Sequence, residues 1–334
     1  MIAKRLFNVT ALLLLTVSQM TAGEKLNLRD ITRGEFRAES MTEVRPMADG
    51  ETYAQISDDG KRIVTYSFKT GKQVGVLFDA TTARGAQIPR VQGYIVSPDG
   101  MRLLIQTNTH PIYRHSFTAT YYIYMIQNNK LEPLSDGGPQ QTPVFSPDGN
   151  QIAFVRDNNI HLVKLLYDNA ESQVTKDGKR NEIINGIPDW VYEEEFSTNT
   201  SMVFSADSRQ IIWIRYDETD VPQYTMQLFK SLAPEMEQYR DYPGDYTYKY
   251  PVPGKQNSKV KVLSYDIKSH QTRTIDLPLD PDGYIPRIMA TSDPEKVAIF
   301  TLNRHQDDLK IYMANPLSTV CKLVIEDKVD KYVK

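Results

Sequence analysis

A short turn recurs along this chain, and few folds accommodate its spacing. It reads Ser57-Asp58-Asp59-Gly60, Ser97-Pro98-Asp99-Gly100, Ser146-Pro147-Asp148-Gly149 and, in degenerate form, Ser205-Ala206-Asp207-Ser208. Proline presets φ for the turn, aspartate bonds to nearby backbone, and glycine accepts positive φ. An apolar run follows each turn: Ile63-Val64-Thr65-Tyr66, Leu103-Leu104-Ile105, Ile152-Ala153-Phe154-Val155 and Ile211-Ile212-Trp213-Ile214. A fifth, weaker unit joins Thr291-Ser292-Asp293-Pro294 to Val297-Ala298-Ile299-Phe300. Aromatic and β-branched stretches such as Tyr121-Tyr122-Ile123-Tyr124 come next, and such side chains suit a pleated surface.

The first four turns start 40, 49 and 59 residues apart, against about 40 to 50 residues per blade in propeller repeats. This predicts an all-β fold, a β-propeller of four-stranded blades. The alternative, a β-sandwich, has turns every 8 to 12 residues or so and no longer unit above them. The widening separations imply insertions. Residues 217–255, rich in Tyr, Pro and Asp, are expected to form a blade-edge loop or an extended hairpin.

With 39 Lys plus Arg against 42 Asp plus Glu, the net charge of -3 provides no field for nucleic acid, which is not expected as a partner. Lys4 and Arg5 precede an apolar run from Leu6 to Val17, and Thr21-Ala22-Gly23 follows. This is the three-part layout of a secretory signal peptide over residues 1–23. The run is short for a membrane core that takes about 20 apolar residues. The expected mature chain, residues 24–334, is soluble and periplasmic or secreted. Cys321 is the only cysteine, so no internal disulfide is expected and packing must supply stability. No His and Cys cluster has metal-ligand spacing, and no metal or cofactor is expected. A Gly-x-Ser-x-Gly nucleophile turn is missing, and His110, His115, His161, His270 and His305 have no evident nucleophile partner. No catalytic residue is assigned.

The densest chemical signal is Asn185-Gly186-Ile187-Pro188-Asp189-Trp190-Val191-Tyr192-Glu193-Glu194-Glu195-Phe196. Large apolar groups bracket three acids, so the acids sit on an anchored element. On a strand, neighbouring side chains point to opposite faces, so a site shared by adjacent acids needs a turn or a short helix. Asp189 is placed to cap such a helix. Carboxylates forced together repel. A metal, an arginine or a ligand's ammonium group would relieve that repulsion.

The run from Asp189 to Glu195 resembles the double-glutamate motif of the dipeptidyl peptidase IV family, where two propeller acids hold the free amino terminus of the substrate. The resemblance implies that Glu194 and Glu195 are those acids and that Glu193 is structural. Tyr113-Arg114-His115-Ser116 is similar to the family segment whose arginine binds both the acids and the substrate's backbone carbonyl, which implies Arg114 as a third anchor. Residues 28–40 resemble the leader strand of bacterial members. The family further implies an eight-bladed propeller, followed by an α/β-hydrolase domain carrying Ser, Asp and His, in a dimeric serine peptidase that releases X-Pro or X-Ala dipeptides. About five units are legible, so the expectation is an incomplete ring over residues 24–334, with the hydrolase absent and no activity in isolation. The expected partners are a peptide with a free amino terminus, a separate α/β-hydrolase domain or chain, and a second copy. A non-catalytic propeller scaffold for peptides or proteins is the alternative function.

Overall fold

The computed structural model describes residues 26–38, 41, 44–232 and 235–333, so the expected signal peptide at 1–23 lies outside the described residues. The chain divides into two units, Met1–Thr42 and Glu43–Lys334. In the first unit, Leu28–Arg33 forms helix α1, where the family resemblance led us to expect a strand. Local capping explains the difference. The Asn27 side chain accepts a hydrogen bond from the Asp30 amide at 2.9 Å, and Gly34 stops the helix at φ 76°, donating its amide to the Ile31 carbonyl. Both ends thus satisfy helical groups that a strand would leave free.

Among the described residues of the second unit, the repeat folds into five blades. Blade 1 pairs Arg45–Pro46, Thr52–Ile56, Arg62–Ser67 and Gln73–Asp79 in chain order. Blade 2 pairs Gly93–Val96, Arg102–Pro111, Phe117–Met125 and Lys130–Pro133, with Arg84–Gly85 added in parallel at one edge. Blade 3 runs Gln141–Phe145, Gln151–Arg156, Asn159–Lys164 and Ala170–Gln173, and blade 5 runs Tyr284–Ala290, Val297–Leu302, Asp308–Ala314 and Cys321–Lys328. Blade 4 is built on Gln210–Asp217, Lys259–Asp266 and Gln271–Thr274. Between its first two long strands, Gln223–Leu228 and Gly244–Lys249 form a separate two-stranded hairpin, the extended hairpin expected there.

The repeated turn is a closed set of local bonds. The Ser146 hydroxyl donates to Asp148 at 2.6 Å and accepts from the Gln151 amide at 2.9 Å, while Asp148 accepts from the Asn150 amide at 3.0 Å. The same serine-aspartate set recurs at Ser57, Ser97 and Ser205. Gly149 sits at φ 71°, and in the degenerate unit Ser208 takes the equivalent place at φ 61°. In blade 5, Thr291 replaces the serine and donates to the Lys296 carbonyl at 2.8 Å.

Blades stack through apolar clusters. Leu103 and Ile105 of blade 2 join Ile63 and Phe78 of blade 1, whereas Leu104, between them, packs with Ile152 and Phe154 of blade 3. Ala153 and Val155 turn the other way, into the cluster that holds Ile211 to Ile214 of blade 4 and Ile299 of blade 5. Alternation on a strand buried on both faces gives an unbroken apolar run rather than an apolar-polar pattern.

Ser146 is fully buried, so Ser146→Ala leaves the Gln151 amide without this acceptor. A buried donor so stranded costs about 1–3 kcal/mol. We expect a lower urea midpoint for Ser146→Ala and a smaller drop for Ser57→Ala, whose site is only half-buried. A loss at Ser146 no larger than at Ser57 would contradict the structural role of the buried turn.

Candidate functional site

Blade 4 begins with an interrupted strand. Ile183–Asn185 and Met202–Phe204 both pair with Gln210–Asp217, with Asn185 opposite Arg215 and Met202 opposite Trp213. Residues 186–201 therefore leave and rejoin the sheet opposite a single residue, Ile214. Its carbonyl accepts from the Gly186 amide at 3.2 Å, and its amide donates to the Ser201 carbonyl at 2.9 Å. The Ser201 amide also donates to the Gly186 carbonyl at 2.8 Å, closing the base of the excursion.

That excursion carries helix α2, Trp190–Phe196. Asp189 caps it, accepting from the Tyr192 amide at 2.9 Å and from the Ser258 hydroxyl at 2.5 Å. Burial pushes the Asp189 carboxyl above the usual range, and those two bonds oppose the shift. Tyr192 and Phe196, four residues apart, take one side of the helix. The Tyr192 ring meets Tyr216 at 4.8 Å between centroids, and Phe196 meets Tyr284 at 5.8 Å. The Tyr192 hydroxyl accepts from the Ile285 amide of blade 5 at 3.2 Å.

The three acids of α2 have three different surroundings. Glu193 is 1% exposed, and its Oε1 accepts from the His115 and Ser116 amides, each at 2.7 Å. Both amides belong to the blade 2 hairpin that carries Arg114. Glu194 meets the Arg114 side chain, with Nε 3.0 Å from Oε2 and 3.4 Å from Oε1; the two side chains are 19% and 73% exposed. The Asn199 side chain adds a bond to the His115 carbonyl at 3.2 Å. Glu195 is exposed and makes no ion pair among the described residues.

Glu194 and Arg114 line a cavity of about 700 Å³ with Tyr113, Trp190, Met226, Tyr246 and Tyr248. Glu195 lines a neighbouring one of about 350 Å³ with Phe196, Tyr250 and Arg304. The structure thus brings Glu194 and Arg114 together and sets Glu195 beside them, opening onto an adjacent cavity rather than the same one. About 100° of rotation per helical residue separates the two acids, and Trp190 lines both cavities.

A third cavity, of about 180 Å³, is lined by Tyr113, Arg180, Asp189, Glu193, Glu218 and Lys249. Burial, aided by the charge of Asp189 and opposed by Lys249, pushes the Glu218 carboxyl up to about 7. Burial likewise raises the Tyr113 phenol. Sequence reasoning missed Glu218 and the hairpin residues Tyr246 and Tyr248, because nothing but tertiary packing brings them to α2. Among the described residues, no group of His, Cys, Asp and Glu has the makings of a metal site.

Fold and site together define a bladed β-propeller in which a carboxylate on a helix inserted into one blade pairs with a guanidinium on the hairpin of another. The family described as "Dipeptidyl peptidase IV (DPP IV) N-terminal region" matches residues 97–334, and the chain belongs to that family. "Probable dipeptidyl-aminopeptidase B" of Penicillium rubens is 35% identical over 244 residues, 70% of this chain and 27% of that protein. The protein of the same description from Podospora anserina is 32% identical over 340 residues, 93% of this chain and 36% of that protein. The crystal structure of Porphyromonas gingivalis dipeptidyl peptidase 4 superposes with a TM-score of 0.88 at 41% identity, covering 93% of this chain and 43% of that one. The chain therefore spans well under half the length of these relatives.

The raised Glu218 carboxyl has a consequence for stability. A folded value above the ordinary 4.5 means that the folded state holds the proton more tightly than the unfolded chain. Its contribution is fully present below about 4.5 and is lost as pH rises through about 7. Urea titrations across that window should show wild-type stability falling relative to Glu218→Gln. Parallel pH profiles for the two proteins would contradict the burial of this carboxyl.

Proposed function

We propose that this chain is the substrate-recognition propeller of an exported serine dipeptidyl peptidase that releases X-Pro and X-Ala dipeptides. Glu194 and Glu195 grip the free amino terminus of the peptide, and Arg114 holds its backbone carbonyl. The observation that carries this reading is the Arg114–Glu194 pair, set beside a second carboxylate that has no ion-pair partner among the described residues. Two acids and one guanidinium leave one net negative charge, and a terminal ammonium neutralises it. The partial burial of Glu194 strengthens such charge-assisted bonds. Arg114 reaches Glu194 through Nε, and no other acid pairs with it among the described residues.

Anchoring a peptide by its amino end fixes the distance from that end to a cleavage point, and so fixes how many residues leave together. The peptidase descriptions of the relatives support this role. In this reading the Ser, Asp and His of catalysis come from an α/β-hydrolase domain or chain, two copies assemble, and no cofactor takes part. The signal-like composition of residues 1–23 supports a periplasmic or secreted location.

Calorimetry with the tripeptide Ile-Pro-Ile and its N-acetylated form tests the anchor. The free peptide should bind at least about tenfold more tightly than the acetylated one, because a bond to a charged group contributes about 1.5–3 kcal/mol. Glu194→Ala should weaken the free peptide by about ten- to a hundredfold and leave the acetylated one unchanged, whereas Arg114→Ala, which removes the carbonyl contact, should weaken both. Equal affinity of the wild-type chain for both peptides would remove the ammonium-anchoring role.

A further inference from the structure

We infer that Glu193 is the positioning residue of the Arg114 anchor: its buried carboxylate clamps the main chain just after Arg114 and so fixes where the guanidinium stands relative to Glu194 and Glu195. The inference rests on the proposed role of Arg114 and adds a residue to which that role gives no task. Arg114 needs such a device. It lies between the strands Arg102–Pro111 and Phe117–Met125, beyond a register shift between Thr107 and His110, and its side chain is 73% exposed. An exposed side chain at a hairpin tip has little packing to hold it in place.

Glu193 supplies the missing restraint. One oxygen takes the amides of the two residues that follow Arg114, at 2.7 Å each, short distances that mark charge-assisted bonds. Glu193 Oε2 is buried with no hydrogen-bond partner among the described residues, so those two amides are the carboxylate's hydrogen-bond compensation for leaving water. Clamp and loop therefore depend on each other. Glu193 is adjacent to Glu194 on α2, so the same helical turn holds the hairpin twice, by main chain through Glu193 and by side chain through Glu194. The helix itself is tied down by the Asp189 cap and by Ile214. With 1% exposure and its Oε1 engaged, Glu193 has no surface to offer a peptide's ammonium group.

The role makes a distinctive demand on substitutions. Glutamine keeps an acceptor oxygen at the same reach. Aspartate is one methylene too short, and alanine removes the acceptor. Amide hydrogen exchange on the full chain, with Ile-Pro-Ile calorimetry in parallel, separates these cases. In Glu193→Ala and Glu193→Asp, exchange at His115 and Ser116 should accelerate at least about tenfold, while amides inside the blade 2 strands keep their rates. Ile-Pro-Ile affinity should fall about tenfold in the same variants. Glu193→Gln should restore both. The clamp is refuted if Glu193→Ala leaves the two amides protected. It is also refuted if Glu193→Gln loses affinity with those amides still protected, since the acid would then be touching the ligand directly. Should the alanine variant not fold, the glutamine and aspartate variants still decide. Equal wild-type affinity for free and acetylated peptide would refute the ammonium anchor of the proposed function and leave the clamp standing, because the exchange rates judge the clamp without any ligand.

Discussion

A single buried carboxylate joins two parts of this chain that no strand pairing connects. Glu193 lies 78 residues from His115 and 77 from Ser116, yet its oxygen accepts both of their amides. A carboxylate removed from water must be compensated, and here the compensation is the main chain of another blade. The inserted helix of blade 4 and the hairpin tip of blade 2 are consequently held as one assembly. The Arg114–Glu194 pair is the exposed product of that hidden contact.

The blades give this assembly a rigid base. Central strands such as Gln151–Arg156 and Gln210–Asp217 are buried on both faces and stack through shared apolar clusters, so they have little freedom to shift. The side chains of the proposed anchor sit on what departs from the strands: a hairpin tip in blade 2 and a helix hung from one residue of blade 4. Function carried on insertions over a rigid scaffold is a general pattern. The pinning by Ile214 shows how a 16-residue excursion, 186–201, leaves the register of its sheet undisturbed on either side.

How much of this was legible depended on whether the deciding contacts are local. The repeated turn could be read because its bonds lie within about six residues, from Ser146 to Gln151 for example. Helix α2 could be read because Asp189 is a cap and adjacent acids cannot share a site on a strand. Helix α1 also has local signals in Asn27 and Gly34, which a reading by family resemblance to a strand passes over. The division of labour among the three glutamates was not legible. With Tyr192 and Phe196 facing the core, helical rotation places Glu194 farthest from it and Glu193 and Glu195 on the flanks. The structure instead buries Glu193 and half-buries Glu194, because the blade 2 hairpin covers one flank of the helix and leaves Glu195 open. That asymmetry comes entirely from a distant segment.

The central claim is that a positively charged peptide end sits against the two acids with Arg114 beside it. A crystal structure of the chain with Ile-Pro-Ile bound tests this most directly. The account predicts the terminal nitrogen within about 3 Å of an oxygen of Glu194 and of Glu195, with a peptide carbonyl on the Arg114 guanidinium. Electron density placing that nitrogen away from both acids would contradict it.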